Sequence, residues 1–227
     1  MKKLAKYTEC FNFACKWCGC QSVGDSPPDV CPACGSQGFD MKREDRRPLD
    51  KFLDGQFIRV PGHDCLLADM PVVQVVWRIV MGRLETPFLG DMLPVASVSW
   101  DDCMDFLHRL NSLEEVRKKG MVFRLPSYAE WKSAAVCGQD GLKNFAWYWE
   151  NSDSVPHPVG KKDPNSLGFY DMFGNVWEWC ADGDRAGRLC AGGCWCCDEN
   201  GCMATESWPA DTRCSFIGVR LCAENRP

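Results

Sequence analysis

Cysteine constrains this chain more than any other residue type: it has seventeen in 227 residues. Six stand near the amino terminus (Cys10, Cys15, Cys18, Cys20, Cys31, Cys34), eight near the carboxy terminus (Cys180, Cys190, Cys194, Cys196, Cys197, Cys202, Cys214, Cys222), and only Cys65, Cys103 and Cys137 lie between. Cysteine at this density normally marks a disulfide scaffold in a short secreted chain. Here the number is odd, and the length suits one full domain with a small second one. Met1 to Cys10 is basic but has no apolar stretch behind it, so no secretory signal is expected. The two clusters need two separate explanations.

In the first cluster, Cys15-Lys16-Trp17-Cys18-Gly19 and Cys31-Pro32-Ala33-Cys34-Gly35 are two copies of CxxCG separated by twelve residues. Two residues between thiolates let both sulfurs face one tetrahedral ion, and the glycine permits the turn that aims N–H groups at sulfur. The expectation is a zinc ribbon over residues 8–40, with Cys15, Cys18, Cys31 and Cys34 as ligands to a structural zinc. Disulfide pairing would need an oxidising compartment, and a thioredoxin-like redox site would need a βαβ pattern that is missing. A closed site of four thiolates has no open coordination position, so the ribbon is expected to hold structure or dock a protein. The charged run Lys42 to Pro48 places a solvated linker at 41–56.

From Gln56 onward the local signals are those of a mixed α/β domain, assigned to 57–225. Ser99 with Asp102 forms a capping box, followed by Cys103, Phe106, Leu107 and Leu110 on one helical stripe. Ser127 with Glu130 forms a second, opening a short helix whose Trp131, Ala134 and Ala135 share a face. Val72 to Val80 is ambiguous, because its β-branched content favours strand. Beyond residue 140 periodicity fades into Gly, Pro, Asn and Trp, which predicts long packed loops.

Net charge is −5, from 26 Lys and Arg against 31 Asp and Glu. That offers no basic field for phosphates, so nucleic acid is not an expected partner. No apolar run is long enough to cross a bilayer, so neither is a membrane. A cytoplasmic location follows as the expectation, with a phage or prophage association compatible with it. His63, His108 and His157 are scattered, Asp101-Asp102 and Glu114-Glu115 suit helix caps and solvated faces, and there is no phosphate-cradling glycine loop.

Three segments in order carry a resemblance: Pro94 to Trp100, Phe123-Arg124-Leu125-Pro126-Ser127-Tyr128-Ala129-Glu130-Trp131, and Pro164-Asn165 with Leu167 to Trp179, whose core is Asp171-Met172-Phe173-Gly174-Asn175-Val176-Trp177-Glu178-Trp179. With Ala191-Gly192-Gly193-Cys194-Trp195 and Ile217-Gly218-Val219-Arg220-Leu221, the stretch 57–222 resembles the sulfatase-modifying-factor, or formylglycine-generating-enzyme, domain family. The resemblance implies an α+β, C-type-lectin-like fold: a small antiparallel sheet, two main helices and many loops. It also implies a helix over Val72 to Val80, and calcium held by oxygens of Asn175, Val176 and Glu178.

Two functions follow from the resemblance. In one, the carboxy-terminal loops form a diversified ligand-binding surface, as in the variable proteins of diversity-generating retroelements, where AAC codons become NNC. The residues that interrupt the family pattern are Cys190, Ala191, Cys194, Cys196, Cys197, Asp198, Gly201, Asp211, Cys214, Ser215 and Phe216, all reachable by NNC. Trp195 and Trp208 serve as aromatic anchors for a protein or other macromolecular ligand. Glu199, Met203, Glu206 and Trp208 are not reachable, so they would be fixed positions or count against a diversified surface. In the alternative, Cys197 and Cys202 hold copper(I) in an oxidase that converts a substrate cysteine to formylglycine. Cys194 replaces the usual serine, Met203 the usual arginine, and Ala204-Thr205-Glu206-Ser207 later arginines, all of which count against the oxidase.

Overall fold

The computed structural model describes residues 11–15, 21–24, 39–43, 47–55, 57–136 and 141–225, with side chains from Pro48 onward. Strands β1 (Phe11–Cys15), β2 (Gln21–Gly24) and β3 (Phe39–Arg43) form an antiparallel sheet in the order β2-β1-β3. Phe11 lies opposite Gly24 on one side and Arg43 on the other. Of the four zinc ligands expected from the sequence, Cys15 ends β1 with its side chain undescribed, and Cys18, Cys31 and Cys34 lie outside the described residues. Cys10, Cys20 and Cys137 also lie outside them.

The linker assignment for 41–56 needs correction. Strand β3 runs on to Arg43, and helix α1 (Arg47–Leu53) follows. Leu49 and Leu53 are one helical turn apart, so they share a face, and both are buried in the main core. Phe52 meets Phe57 edge-on at 5.9 Å. The charged residues around α1 mask a two-leucine stripe, so the packed domain begins about ten residues before the expected boundary.

Strands β4 (Phe57–Arg59) and β5 (Leu66–Ala68) form a hairpin. Helix α2 (Gln74–Met81) buries Val76, Trp77 and Ile79, and stops at Gly82, whose φ of +81° suits glycine. The expected helix is therefore present, but Val72 and Val73 stay extended: the Val72 amide donates to Val219, and Val73 bridges Pro94. Helix α3 (Trp100–Ser112) opens on the expected capping box, with Ser99 Oγ accepting from the Asp102 amide at 3.1 Å and Asp102 Oδ2 accepting from the Ser99 amide at 2.8 Å. Its Cys103, Phe106, Leu107 and Leu110 are all buried, and Phe106 stacks on Trp77 at 4.7 Å. Helix α4 (Glu114–Lys118), strand β6 (Met121–Arg124) and helix α5 (Tyr128–Ala134) follow, the last opened by the Ser127–Glu130 box. Trp131 and Ala134 are buried as expected, while Ala135 already lies at the helix end and is half-buried.

Residues 141–176 carry no regular element beyond a 3-10 turn at Leu142–Asn144. Then come β7 (Trp177–Gly183), β8 (Arg188–Ala191), a 3-10 turn at Gly201–Met203, β9 (Thr205–Trp208), β10 (Ile217–Gly218) and β11 (Cys222–Asn225). One sheet, β4-β5-β11-β6, is antiparallel and joins the two ends of the domain. The other, β10-β7-β8-β9, contains a parallel pair, Ile217 opposite Trp177. The domain thus carries the small antiparallel sheet expected and, beside it, a small mixed one. The second sheet is covered on both faces: Trp177, Trp179 and Cys190 enter the cluster with α2 and α3, whereas Cys180 and Ala191 enter one with Trp131, Phe169, Met172 and Phe173. No helix among the described residues is long and apolar enough to cross a membrane.

Candidate functional site

The corner at Gly174–Trp179 positions everything that follows it. Gly174 has φ +69°, and a Cβ there would lie 2.1 Å from the Trp147 carbonyl oxygen, so only glycine fits. Asn175, at φ +57°, donates from Nδ2 to the His157 carbonyl (3.0 Å) and to Asp171 (3.3 Å), and accepts the His157 amide on Oδ1 (3.1 Å). The Asn175 carbonyl accepts the Trp195 amide at 2.9 Å, which ties the corner to the cysteine-rich loop. Glu178 is buried with its carboxylate against Arg220, at 2.9 Å from Nε and 2.8 Å from Nη2, and it accepts Trp131 Nε1 at 2.7 Å. The rest of the Arg220 guanidinium donates to the carbonyls of Ala68 and Tyr170.

These partners bear on the calcium expectation. A calcium ion draws together anionic and carbonyl oxygens. Glu178 is already neutralised by a buried guanidinium, and Asn175 Oδ1 is held by an amide. With those oxygens engaged, the set Asn175, Val176 and Glu178 falls short of the about six to eight oxygen ligands that calcium takes. It serves instead to lock the loops together.

Gly192 and Gly193 then bring the chain back across its own interior. A Cβ on Gly192 would meet the Met172 carbonyl at 2.8 Å, and one on Gly193 would meet Cys202 Cα at 2.4 Å. The loop they launch, 194–203, therefore folds flat against its start. Within it Cys194 Sγ lies 2.9 Å from Cys197 Sγ and 3.3 Å from Cys196 Sγ. The Cys194 hydrogen bond pulls the Cys197 thiol down to about 7 against the effect of burial, and the same contact, with burial, pushes Cys194 up. Burial pushes Cys202 up to about 12. The two residues of the copper expectation thus stand in unlike environments: a half-buried Cys197 engaged with Cys194, and a fully buried, protonated Cys202.

The expected ligand face divides by burial. Asp198 and Asp211 are exposed, and Trp195, Cys196, Cys197, Gly201, Trp208, Cys214, Ser215 and Phe216 are half-buried. Cys190, Ala191 and Cys194 are buried, and this corrects their assignment as contact residues. For Cys190 and Ala191 the reason is topological, because they stand at the buried end of β8, between β7 and β9 in a sheet packed on both sides, and Cys194 lies under its own loop. Trp208 packs edge-on against Trp177 at 5.6 Å and tilted against Phe216 at 6.4 Å, and Trp195 packs edge-on against Phe88 at 5.6 Å. Both indoles are held by neighbouring rings.

Sequence reasoning missed Trp149. It is 61% exposed, and its amide donates to the Cys197 carbonyl at 2.9 Å, which places it beside the cysteine loop. Leu89, next to the Phe88 that supports Trp195, is 71% exposed, and Met203, in the turn that closes the loop, is 56% exposed. The available signal was the aromatic run Trp147-Tyr148-Trp149, followed directly by the polar stretch Glu150 to Ser154.

Comparison with known proteins agrees with this architecture. A profile of the sulfatase-modifying factor enzyme 1-like domain matches residues 52–225. The chain is 26% identical over 218 residues to the chaperone protein LppX of Paenibacillus barcinonensis, covering 68% of this chain and 77% of that one. It is 28% identical over 180 residues to the formylglycine-generating enzyme of Streptomyces coelicolor, covering 58% of this chain and 52% of the enzyme. The match thus spans about half of that enzyme's length. Among solved structures, Treponema denticola variable protein 1 superposes with a TM-score of 0.61 at 26% identity, covering 76% of this chain and 92% of that chain. PvdO from Pseudomonas aeruginosa superposes with a TM-score of 0.57 at 19% identity, over 70% and 80%, and speaks to the fold alone. With its α+β, C-type-lectin-like arrangement and a profile match over most of its length, the chain belongs to the sulfatase-modifying factor enzyme 1-like domain family.

Proposed function

We propose that this protein is a ligand-binding display protein whose carboxy-terminal loops form a diversified recognition surface, as in retroelement variable proteins. One observation carries the reading: the superposition on Treponema denticola variable protein 1, which covers nearly all of that protein. The geometry supports it, since a hydrogen-bonded corner and two close-packed glycines fix a loop at 195–201 that carries exposed Asp198 and neighbours Trp149. The contact surface is then Trp149, Trp195 to Asp198, Gly201, Trp208, Asp211 and Cys214 to Phe216, while Cys190, Ala191 and Cys194 belong to the scaffold. The ligand is a protein or other macromolecule. The amino-terminal zinc ribbon, with its structural zinc on Cys15, Cys18, Cys31 and Cys34, is proposed to dock a partner protein.

Sequencing the encoding locus across many clones tests this. The expected result is a nearby imperfect repeat of the codons for residues 185–220, with substitutions confined to that window and concentrated at template adenines. An invariant locus without a repeat overturns the proposal. Stoichiometric copper(I) binding at Cys197 and Cys202, with oxygen consumed in the presence of a cysteine peptide, would replace it by the oxidase.

A further inference from the structure

On the sheet that joins the two ends of the domain, well apart in sequence from the cysteine-rich loop, two buried thiols meet a carboxylate. Cys65 directly precedes β5, Cys222 opens β11 opposite Leu67 and Arg124, and Glu130 stands in the first turn of α5. The two Sγ atoms and a Glu130 oxygen all lie within 4.8 Å of one another. We propose that Cys65, Cys222 and Glu130 form a metal site for a zinc-type divalent cation, independent of both the amino-terminal cysteines and the ligand face.

The donor set fits such an ion in geometry and in charge. In a tetrahedral zinc site, sulfur at about 2.3 Å and oxygen at about 2.0–2.2 Å give ligand–ligand separations of roughly 3.5–3.8 Å, so inward shifts of about 1 Å close the site. Two thiolates and a carboxylate carry three negative charges. Arg124 supplies one positive charge, with Nη1 and Nη2 at 2.8 and 2.7 Å from the Glu130 oxygens, and a divalent cation supplies the other two. Arg124 Nε also meets Glu224 at 3.1 Å, but that carboxylate is partly exposed to solvent, so the buried ligand set with Arg124 and the cation is neutral. Arg124 and the Ser127 amide, the latter at 2.8 Å, take three of the about four acceptor directions on the carboxylate and leave one for a metal. Without metal, burial raises both thiols, so they remain protonated. Metal uptake therefore exchanges two thiol protons for one cation. Glu130 and Arg124 also border a cleft of about 370 Å³ walled by Trp100, Met104, Leu125 and Ala181.

The test uses cobalt(II) on the full chain with serine in place of Cys10, Cys15, Cys18, Cys20, Cys31, Cys34, Cys196 and Cys197, which empties the amino-terminal set and leaves Cys194 without its thiol neighbours. The expected result is one cobalt per chain with a thiolate-to-cobalt charge-transfer band and about two protons released. Both should disappear when Cys65→Ser and Cys222→Ser are added. No band in the starting variant, or a band that survives the two further substitutions, overturns the proposal. Should the added substitutions unfold the chain, X-ray absorption of the zinc-loaded starting variant decides. Two sulfurs with lighter atoms support the site, and a shell of any other sulfur number rejects it.

Discussion

Arg220 and Glu178 show how far single residues of this family pattern are structural. Both are fully buried, and together with Trp131 Nε1 and the carbonyls of Ala68 and Tyr170 they leave no charge unpaired. Glu178→Ala would strand a guanidinium in the interior, and equilibrium unfolding in denaturant should show a loss of about 3–5 kcal/mol. Asp102 works at the surface. Burial pushes its carboxyl up, but hydrogen bonds from Arg213 at 2.7 Å and from Ser99 outweigh this and hold it below the usual carboxylate range. A depressed carboxyl stabilises the fold above its unfolded pKa, and that stability is lost as pH falls below about 4. Unfolding free energies measured between pH 6 and pH 2.5 should therefore fall less steeply for Asp102→Asn than for the unsubstituted chain. An equal slope would show that Asp102 carries none of the acid sensitivity. The Ser99–Asp102 box was legible in the sequence because its partners are three residues apart. The Arg220–Glu178 pair spans 42 positions, and nothing local announces it.

The same divide between local and distant determinants governs the elements. Helices α3 and α5 were read directly from capping boxes and a repeating apolar face. Helix α2 needed the family resemblance, since its valines fit a strand equally well. Helix α1 was lost in a charged run, because two leucines in seven residues make too short a stripe to stand out. Its burial makes a definite prediction: Leu49→Ala should cost about 2–5 kcal/mol, as deletion of a buried leucine side chain does elsewhere. A chain beginning at residue 57 should melt well below one beginning at 44, by circular dichroism. Equal melting temperatures would restore 41–56 as a linker. The mixed sheet was beyond sequence reading altogether, since β10 and β7 pair across 40 residues, and their parallel register depends on the loop at 209–216 bringing the Phe216 carbonyl to the Trp177 amide.

At the scale of the whole molecule, a display surface needs positions that vary without touching the core, and the sequence could not sort them. It marked the carboxy-terminal residues that break the family pattern, yet burial divides those residues in two. Cys190 and Ala191 face opposite sides of one packed sheet, and Cys194 is 1% exposed beneath its loop. Asp198 and Asp211 stand in solvent, and Trp149, from a different segment, joins the face through the Cys197 carbonyl. A library randomised at Trp149, Asp198 and Asp211, sorted for protease-resistant protein, should accept nearly any residue, because exposed substitutions change stability by only about 0.5 kcal/mol. One randomised at Cys190, Ala191 and Cys194 should retain only small apolar residues, since a buried charge or an extra ring costs several times more. If both libraries proved equally tolerant, the cysteine-rich core would be plastic, and the display surface would extend inward to β8. If both proved equally intolerant, the loop would belong to the fold itself, and neither a diversified face nor a ligand docked on it would survive.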